Sequence, residues 1–177
     1  ICRVGLLVGV PPAACPGDGP LAGIAFQQEL EARAYAAGGG GFAAPVQRVE
    51  DFLLRRPSAG PGRVLPTYRP GVRWCNLWEV LPDFICEALA EALPILDKKV
   101  RGYAAPDAAL TAAETRSSCP LRILRGEDGQ SPVRGLWPCG EGAGYAGGIL
   151  SAAADGLRTA EKVLETIKNT AWEGETT

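Results

Sequence analysis

The 177-residue chain contains neither histidine nor methionine. Without histidine, a Ser-His-Asp triad, a histidine general base and histidine-ligated metal sites are excluded. Six cysteines are present, at positions 2, 15, 75, 86, 119 and 139, but no two of them form a Cys-x-x-Cys pair. The spacing does not indicate a structural zinc site, and the sequence predicts no metal site.

The chain also lacks a strong net charge and a long apolar run. Its formal charge of −2 gives no basic field for nucleic acid, and no apolar run approaches the ~20 residues of a membrane helix. Apolar residues make up 46% and charged residues 21% of the sequence, the balance of a globular protein. We therefore expect a soluble, cytoplasmic protein with reduced thiols, and neither nucleic acid nor membrane among its partners.

Apolar residues at helical spacing predict four helices, of which the third is split near Pro82. The predicted helices are Leu21–Ala37, Pro45–Leu54, Leu77–Leu96 and Ile149–Lys168. Apolar and β-branched segments predict strands at Cys2–Val10, on both sides of Pro120 within Leu110–Leu124, and at Val133–Cys139. The predicted fold class is α/β or α+β.

The last predicted helix is amphipathic. Its apolar residues recur every three or four positions, which places them on one face. They are Ile149, Ala153, Leu157, Ala160, Leu164 and Ile167.

Gly142–Gly147 reads G-x-G-x-x-G, between a predicted strand and a predicted helix. Glycines allow backbone N–H groups to approach a phosphate, and a helix N-terminus favours negative charge. A complete dinucleotide site also needs a second strand that ends in an acidic residue. Here Glu161 and Glu165 lie within the helix instead, so two interpretations stay open: a ligand-binding turn, and a turn that packs a helix close to its neighbours.

The glycine-rich segment lies in a longer stretch that resembles a known family. Five segments carry the resemblance: Gly19–Glu31, Ala44–Leu53, Trp74–Pro82, Glu114–Ile123 and Gly129–Gly156. They are similar to the C-terminal end of bacterial FAD-dependent dehydrogenases of unassigned substrate. The last segment is the most specific of the five.

The resemblance implies a two-lobed flavoprotein of which this chain is the C-terminal part. Residues 1–109 would belong to a substrate or cap lobe, and residues 110–177 would supply the terminal strand, turn and helix of the FAD-binding domain. The partner would be an N-terminal FAD-binding half that this chain lacks. The parent protein would transfer hydride between FAD and a small-molecule substrate, with NAD(P) as a candidate donor, and the fragment alone would be inactive and would not retain FAD tightly.

The resemblance also nominates site residues, although no catalytic residue. The cofactor-binding candidates are Gly140, Glu141, Gly142, Gly144, Tyr145, Gly147, Gly148 and Ile149. Arg116, Ser117 and Ser118 are weaker candidates for contact with the substrate or the flavin, and an ordinary solvated turn explains them equally well. The alternative function is a non-enzymatic anion-binding or structural domain that uses the glycine turn for packing. The sequence leaves the oligomeric state open.

Overall fold

A computed structural model describes residues 4–174, with side chains described through Asn169. The mixed helical and strand content confirms the predicted class, α/β or α+β. The described helices are α1 (Ala22–Ala37), α2 (Val49–Leu53), α3 (Asp83–Lys99) and α4 (Ile149–Gly174), and short 3-10 turns occupy Pro12–Ala14 and Leu77–Glu79. The described strands are β1 (Ala44–Arg48), β2 (Val72–Trp74) and β3 (Ala109–Thr111).

The three strands form one mixed sheet with the order β2-β1-β3. β1 pairs parallel to β2, with Val46 opposite Trp74, and antiparallel to β3, with Val46 opposite Thr111. The prediction of a helix over Pro45–Leu54 is therefore wrong in its first half, and only α2 is helical. β1 has a buried middle with no alternation of exposed residues, so side chains on both faces of this strand are covered.

The described residues divide into two compact units. The first unit comprises Ala25–Thr115 and the N-terminal residues through Gly17, and the second comprises Asp18–Ile24 and the chain from Arg116 onwards. The predicted functional division between residues 109 and 110 stays a prediction.

The apolar core lies in the first unit. Its buried side chains come from α1, α2, the turn before α3, and α3 itself: Phe26, Leu30, Ala34, Val49, Phe52, Leu77, Val80, Leu81, Ile85, Cys86 and Leu93. Three of the predicted helical segments supply these residues, which explains their regular apolar spacing in the sequence. Pro82 separates the 3-10 turn from α3, as predicted.

A buried carboxylate holds the junction of β1 and α2. Asp51 is 2% exposed and accepts hydrogen bonds from Arg48, Arg56 and Ser58 at 2.7–2.8 Å. Burial alone raises the pKa of a carboxyl, but the bonds from Ser58, Arg56 and Arg48 outweigh it, so the pKa of Asp51 lies below its usual range. The ionised side chain thus stabilises the sharp turn from strand to helix.

Several predicted strands are wrong. Residues 4–10 contain no strand, and the rest of Cys2–Val10 lies outside the described residues. Within Leu110–Leu124 only the end of β3 is a strand, and its register with β1 ends at Thr111. Val133–Cys139 closes local turns instead, since Ser131 N–H donates to the Leu136 carbonyl at 2.8 Å and Leu136 N–H to the Val133 carbonyl at 3.2 Å. The glycine-rich segment therefore does not follow a strand.

Candidate functional site

Local backbone bonds shape the glycine-rich turn in the second unit. Gly144 N–H donates to the Glu141 carbonyl at 2.9 Å, and Tyr145 N–H donates to the Gly140 carbonyl at 3.0 Å. Gly140 and Gly144 have φ values of 71° and 81°, which L side chains rarely adopt. The turn then leads through Gly147 and Gly148 into α4.

The glycines of this turn have different surroundings. A Cβ added to Gly144 would collide with the Leu121 carbonyl oxygen, so close packing requires glycine at that position. Added Cβ atoms at Gly142 and Gly147 would meet no described atom within 4 Å, and neither residue has a positive φ. Packing among the described residues therefore explains Gly144 and leaves Gly142 and Gly147 open to a ligand.

An ion pair that the sequence analysis missed anchors the turn to α4. Arg125 donates two hydrogen bonds to the Asp155 carboxylate, at 2.6 and 3.0 Å, and a third to the Pro138 carbonyl at 2.8 Å. Asp155 also accepts Gly140 N–H at 2.8 Å. The two side chains are 18% and 13% exposed, so water competes little for these bonds.

These contacts shift both ionisation equilibria toward the charged forms. The hydrogen bond from Arg125, followed by that from Gly140 N–H, holds the pKa of Asp155 below its usual range. The same bond with Asp155 raises the pKa of the Arg125 guanidinium. We call Arg125, Asp155 and the Gly140 amide the turn anchor. The sequence did not predict this ion pair, because Arg125 and Asp155 are 30 residues apart and neither belongs to the glycine motif.

Tyr145 packs within the second unit. The Arg125 guanidinium lies 3.7 Å from the centroid of the Tyr145 ring, and the Arg122 guanidinium lies 5.0 Å from it. The Tyr145 hydroxyl donates to the Ile123 carbonyl at 3.0 Å. The Tyr145 ring thus packs against the Arg125 guanidinium of the turn anchor. This contact gives Tyr145 a structural role that does not depend on a cofactor.

The Glu141 side chain is available for a ligand. It is half-buried, and its carboxylate has no hydrogen bond or ion pair among residues 4–169. The first N–H groups of α4, beginning at Ile149, have no intrahelical acceptor and follow the turn directly. A free carboxylate, two open glycines and a helix start together suit a ligand that carries both hydroxyl and anionic groups.

Arg116, Ser117 and Ser118 are exposed in an irregular segment of the second unit. The neighbouring Cys119 thiol donates to the Gly142 carbonyl at 3.2 Å. This contact places the end of the segment next to the glycine turn in space. The contact brings the two groups of predicted site residues within one small region.

The first unit contains a separate groove of about 470 Å³ that the sequence did not indicate. Arg33, Arg73, Trp74, Cys75 and Asn76 are among its lining residues. Burial raises the pKa of the Cys75 thiol, so the thiol form predominates there. Among the described residues no group of three or more His, Cys, Asp or Glu side chains could hold a metal ion, and none of the helices is long and apolar enough to cross a bilayer.

Comparison with known proteins gives two results. The model of a family described as "FAD-dependent protein, C-terminal domain-like" matches residues 2–117. An uncharacterized protein of Clostridium beijerinckii is 48% identical over 161 residues, which cover 90% of this chain and 30% of that protein. The chain therefore spans less than a third of the relative's length. The family match covers the first unit and ends before the glycine turn, whereas the resemblance noted from the sequence was most specific at that turn.

Proposed function

This chain belongs to the FAD-dependent protein, C-terminal domain-like family, and on that premise we propose that the longer protein exchanges a hydride between FAD and a small-molecule substrate. FAD supplies the redox chemistry when it is bound, and a nicotinamide nucleotide is the proposed donor. The chain itself contributes binding and orientation. A cytoplasmic location stays a prediction of the sequence.

The observation that supports this proposal is the free Glu141 carboxylate beside the open glycines. Gly142 and Gly147 leave room for close backbone approach, and Glu141 can accept hydrogen bonds from sugar or ribityl hydroxyls. We propose that Glu141, Gly142, Gly147, Gly148 and the Ile149 N–H hold part of the cofactor. The N-terminus of α4 would favour negative charge on that cofactor.

The remaining predicted residues have supporting roles in this proposal. Gly140 and Gly144 shape the turn through their positive φ values, and Tyr145 supports the turn anchor. Arg116 supplies a positive charge near the turn for an anionic substrate or a reduced flavin, with Ser117 and Ser118 as hydroxyl donors. These three residues are exposed and need the rest of the longer protein to form a closed site.

Gly144 favours the alternative function, a structural or anion-binding domain without catalysis. The Leu121 carbonyl leaves no room for a side chain at Gly144, which is what a turn that serves packing requires. The same reasoning does not extend to Gly142 or Gly147, and so we prefer the cofactor proposal.

The test replaces Glu141 in the longer protein. Glu141→Ala should weaken FAD retention by about tenfold or more, because a carboxylate that accepts hydroxyl hydrogen bonds is lost. Bound FAD is measured by its absorbance at about 450 nm after gel filtration. Glu165→Ala, an exposed acid on α4, is the matched control and should retain FAD normally.

Unchanged retention in Glu141→Ala would remove Glu141 from the cofactor site. A longer protein that binds no flavin under any condition would contradict the oxidoreductase proposal and favour the structural alternative. The isolated 177-residue chain should be colourless, since we propose that most cofactor contacts lie elsewhere.

A further inference from the structure

α4 turns its apolar face to solvent. All six residues of the predicted apolar face are exposed: Ile149, Ala153, Leu157, Ala160, Leu164 and Ile167. Leu150, beside them, is 85% exposed, and Ile149 and Leu157 are 89% and 70% exposed. The amphipathic pattern was predicted correctly, but its apolar side has no partner among the described residues.

The polar side of α4 faces the second unit instead. Asp155 and Thr159 contact Arg125, and the Lys162 ammonium donates to the Glu127 carbonyl. Thr159 is buried, although it is a polar residue. The helix therefore attaches to its unit by hydrogen bonds and an ion pair, which is the reverse of the arrangement in a self-contained domain.

The second unit consequently has almost no apolar core of its own. Among the described residues of this unit, Ala143 and Pro138 are the only apolar side chains that are buried. Ile123, Leu124, Val133 and Leu136 add further exposed apolar surface. An apolar stripe that is exposed along the length of a helix marks an interaction site.

Two observations favour another segment of the longer protein as the occupant. The apolar stripe of α4 includes Ile149 and Leu150, which are about 100° apart around the helix, so it is wider than the narrow seam of a two-stranded coiled coil. The aligned relative carries 70% of its length outside the region that matches this chain, since the match covers 30% of it. A second polypeptide segment of the same longer protein is thus available to cover the face.

We propose that the apolar face of α4 is the surface on which the chain docks against the rest of the longer protein, by burial of Leu150, Leu157, Leu164 and their neighbours beneath an apolar surface of that segment. The occupant follows from the proposed function, because it is the part that would carry most of the cofactor contacts. α4 then links the glycine turn at its N-terminus to the docking surface along its length.

The test co-expresses the 177-residue chain with the tagged remainder of the Clostridium relative and measures the stoichiometry and affinity of the purified complex. We expect a one-to-one complex. Leu157→Glu should weaken it by about tenfold or more, since a charge would be buried at the interface. Arg158→Gln is the matched control, because it makes the same change in net charge at the next residue, which lies about 100° around the helix.

Folding and docking are separable in this design. Leu157 is exposed in the chain alone, so Leu157→Glu should leave the thermal unfolding of the isolated chain unchanged. As a second measurement, this chain replaces the aligned region of the relative in a single polypeptide. A cysteine in place of Leu157 should then be protected from maleimide, and one in place of Arg158 should react.

Equal affinity of the Leu157→Glu and wild-type complexes, or equal labelling at both positions, would overturn the docking proposal. So would a stable homodimer of the isolated chain that Leu157→Glu abolishes, because the occupant would then be a second copy. A complex that needs Leu157 but binds no FAD would leave the docking surface intact and contradict the proposed function.

Discussion

Single residues decide how the glycine turn should be understood. Gly144 is required by the neighbouring Leu121 carbonyl and by its positive φ, whereas Gly147 has open space and an ordinary φ. The G-x-G-x-x-G pattern alone does not distinguish between these two glycines. Their surroundings separate a packing role from a ligand-binding role.

This difference predicts opposite effects of alanine at the two glycines. Gly144→Ala should destabilise the second unit by about 2 kcal/mol or more, because a side chain there is strained and collides with backbone. Gly147→Ala should leave unfolding in urea almost unchanged, and yet lower FAD retention in the longer protein. Normal FAD retention by a stable Gly147→Ala variant would contradict a ligand-binding role for Gly147.

At the scale of elements, α4 depends on the turn anchor. The Asp155 carboxylate connects the helix to Arg125 and to the Gly140 amide at once. Arg125 also stacks on Tyr145, so its planar guanidinium matters as well as its charge. The anchor thereby positions the turn relative to the start of α4.

We predict that Asp155→Ala lowers the free energy of unfolding of the second unit by roughly 2–3 kcal/mol at neutral pH, since hydrogen bonds to charged groups are lost. Urea unfolding followed by circular dichroism measures this change. Glu165→Gln on the same helix is the control and should have little effect. Arg125→Lys should destabilise the unit too, because lysine cannot form the two parallel bonds.

The same carboxylate gives a pH dependence with a defined sign. Folding lowers the pKa of Asp155, so its stabilising contribution is complete above its unfolded pKa of about 4 and is lost as the pH falls through the folded-state pKa. The stability difference between wild type and Asp155→Ala should therefore shrink in acid. A difference that stays constant down to about pH 2 would show that the carboxylate charge is not what stabilises the turn.

At the scale of the whole molecule, apolar burial is unevenly distributed. The first unit contains the apolar core, and the second relies on polar contacts around α4. Local stability follows buried apolar contact, so the two units should differ in how readily they open.

Hydrogen exchange of the isolated chain should show this difference. Amides of α3 should exchange at least about tenfold more slowly than those of α4, because α3 packs into the core and α4 exposes its apolar face. Mass spectrometry of peptic peptides resolves the two helices. Addition of the docking segment should slow exchange in α4, and equal protection of both helices in the isolated chain would contradict the uneven core.

The sequence predicted those features that depend on local spacing. Helices α1, α3 and α4 follow from apolar residues that recur every three or four positions, and Pro82 marks the start of α3 through its own restricted backbone. The α/β class and the family resemblance were also accessible, because both rest on patterns within contiguous segments.

Only the tertiary structure located the strands and the turn anchor. Ala44–Arg48 contains a proline and two polar residues, and it becomes a strand because it pairs with β2 and β3, up to 65 residues away. Arg125 and Asp155 meet across 30 residues for the same reason. Periodicity reveals that a helix has an apolar face, but the direction in which that face points depends on contacts between distant segments, and in α4 it points to solvent.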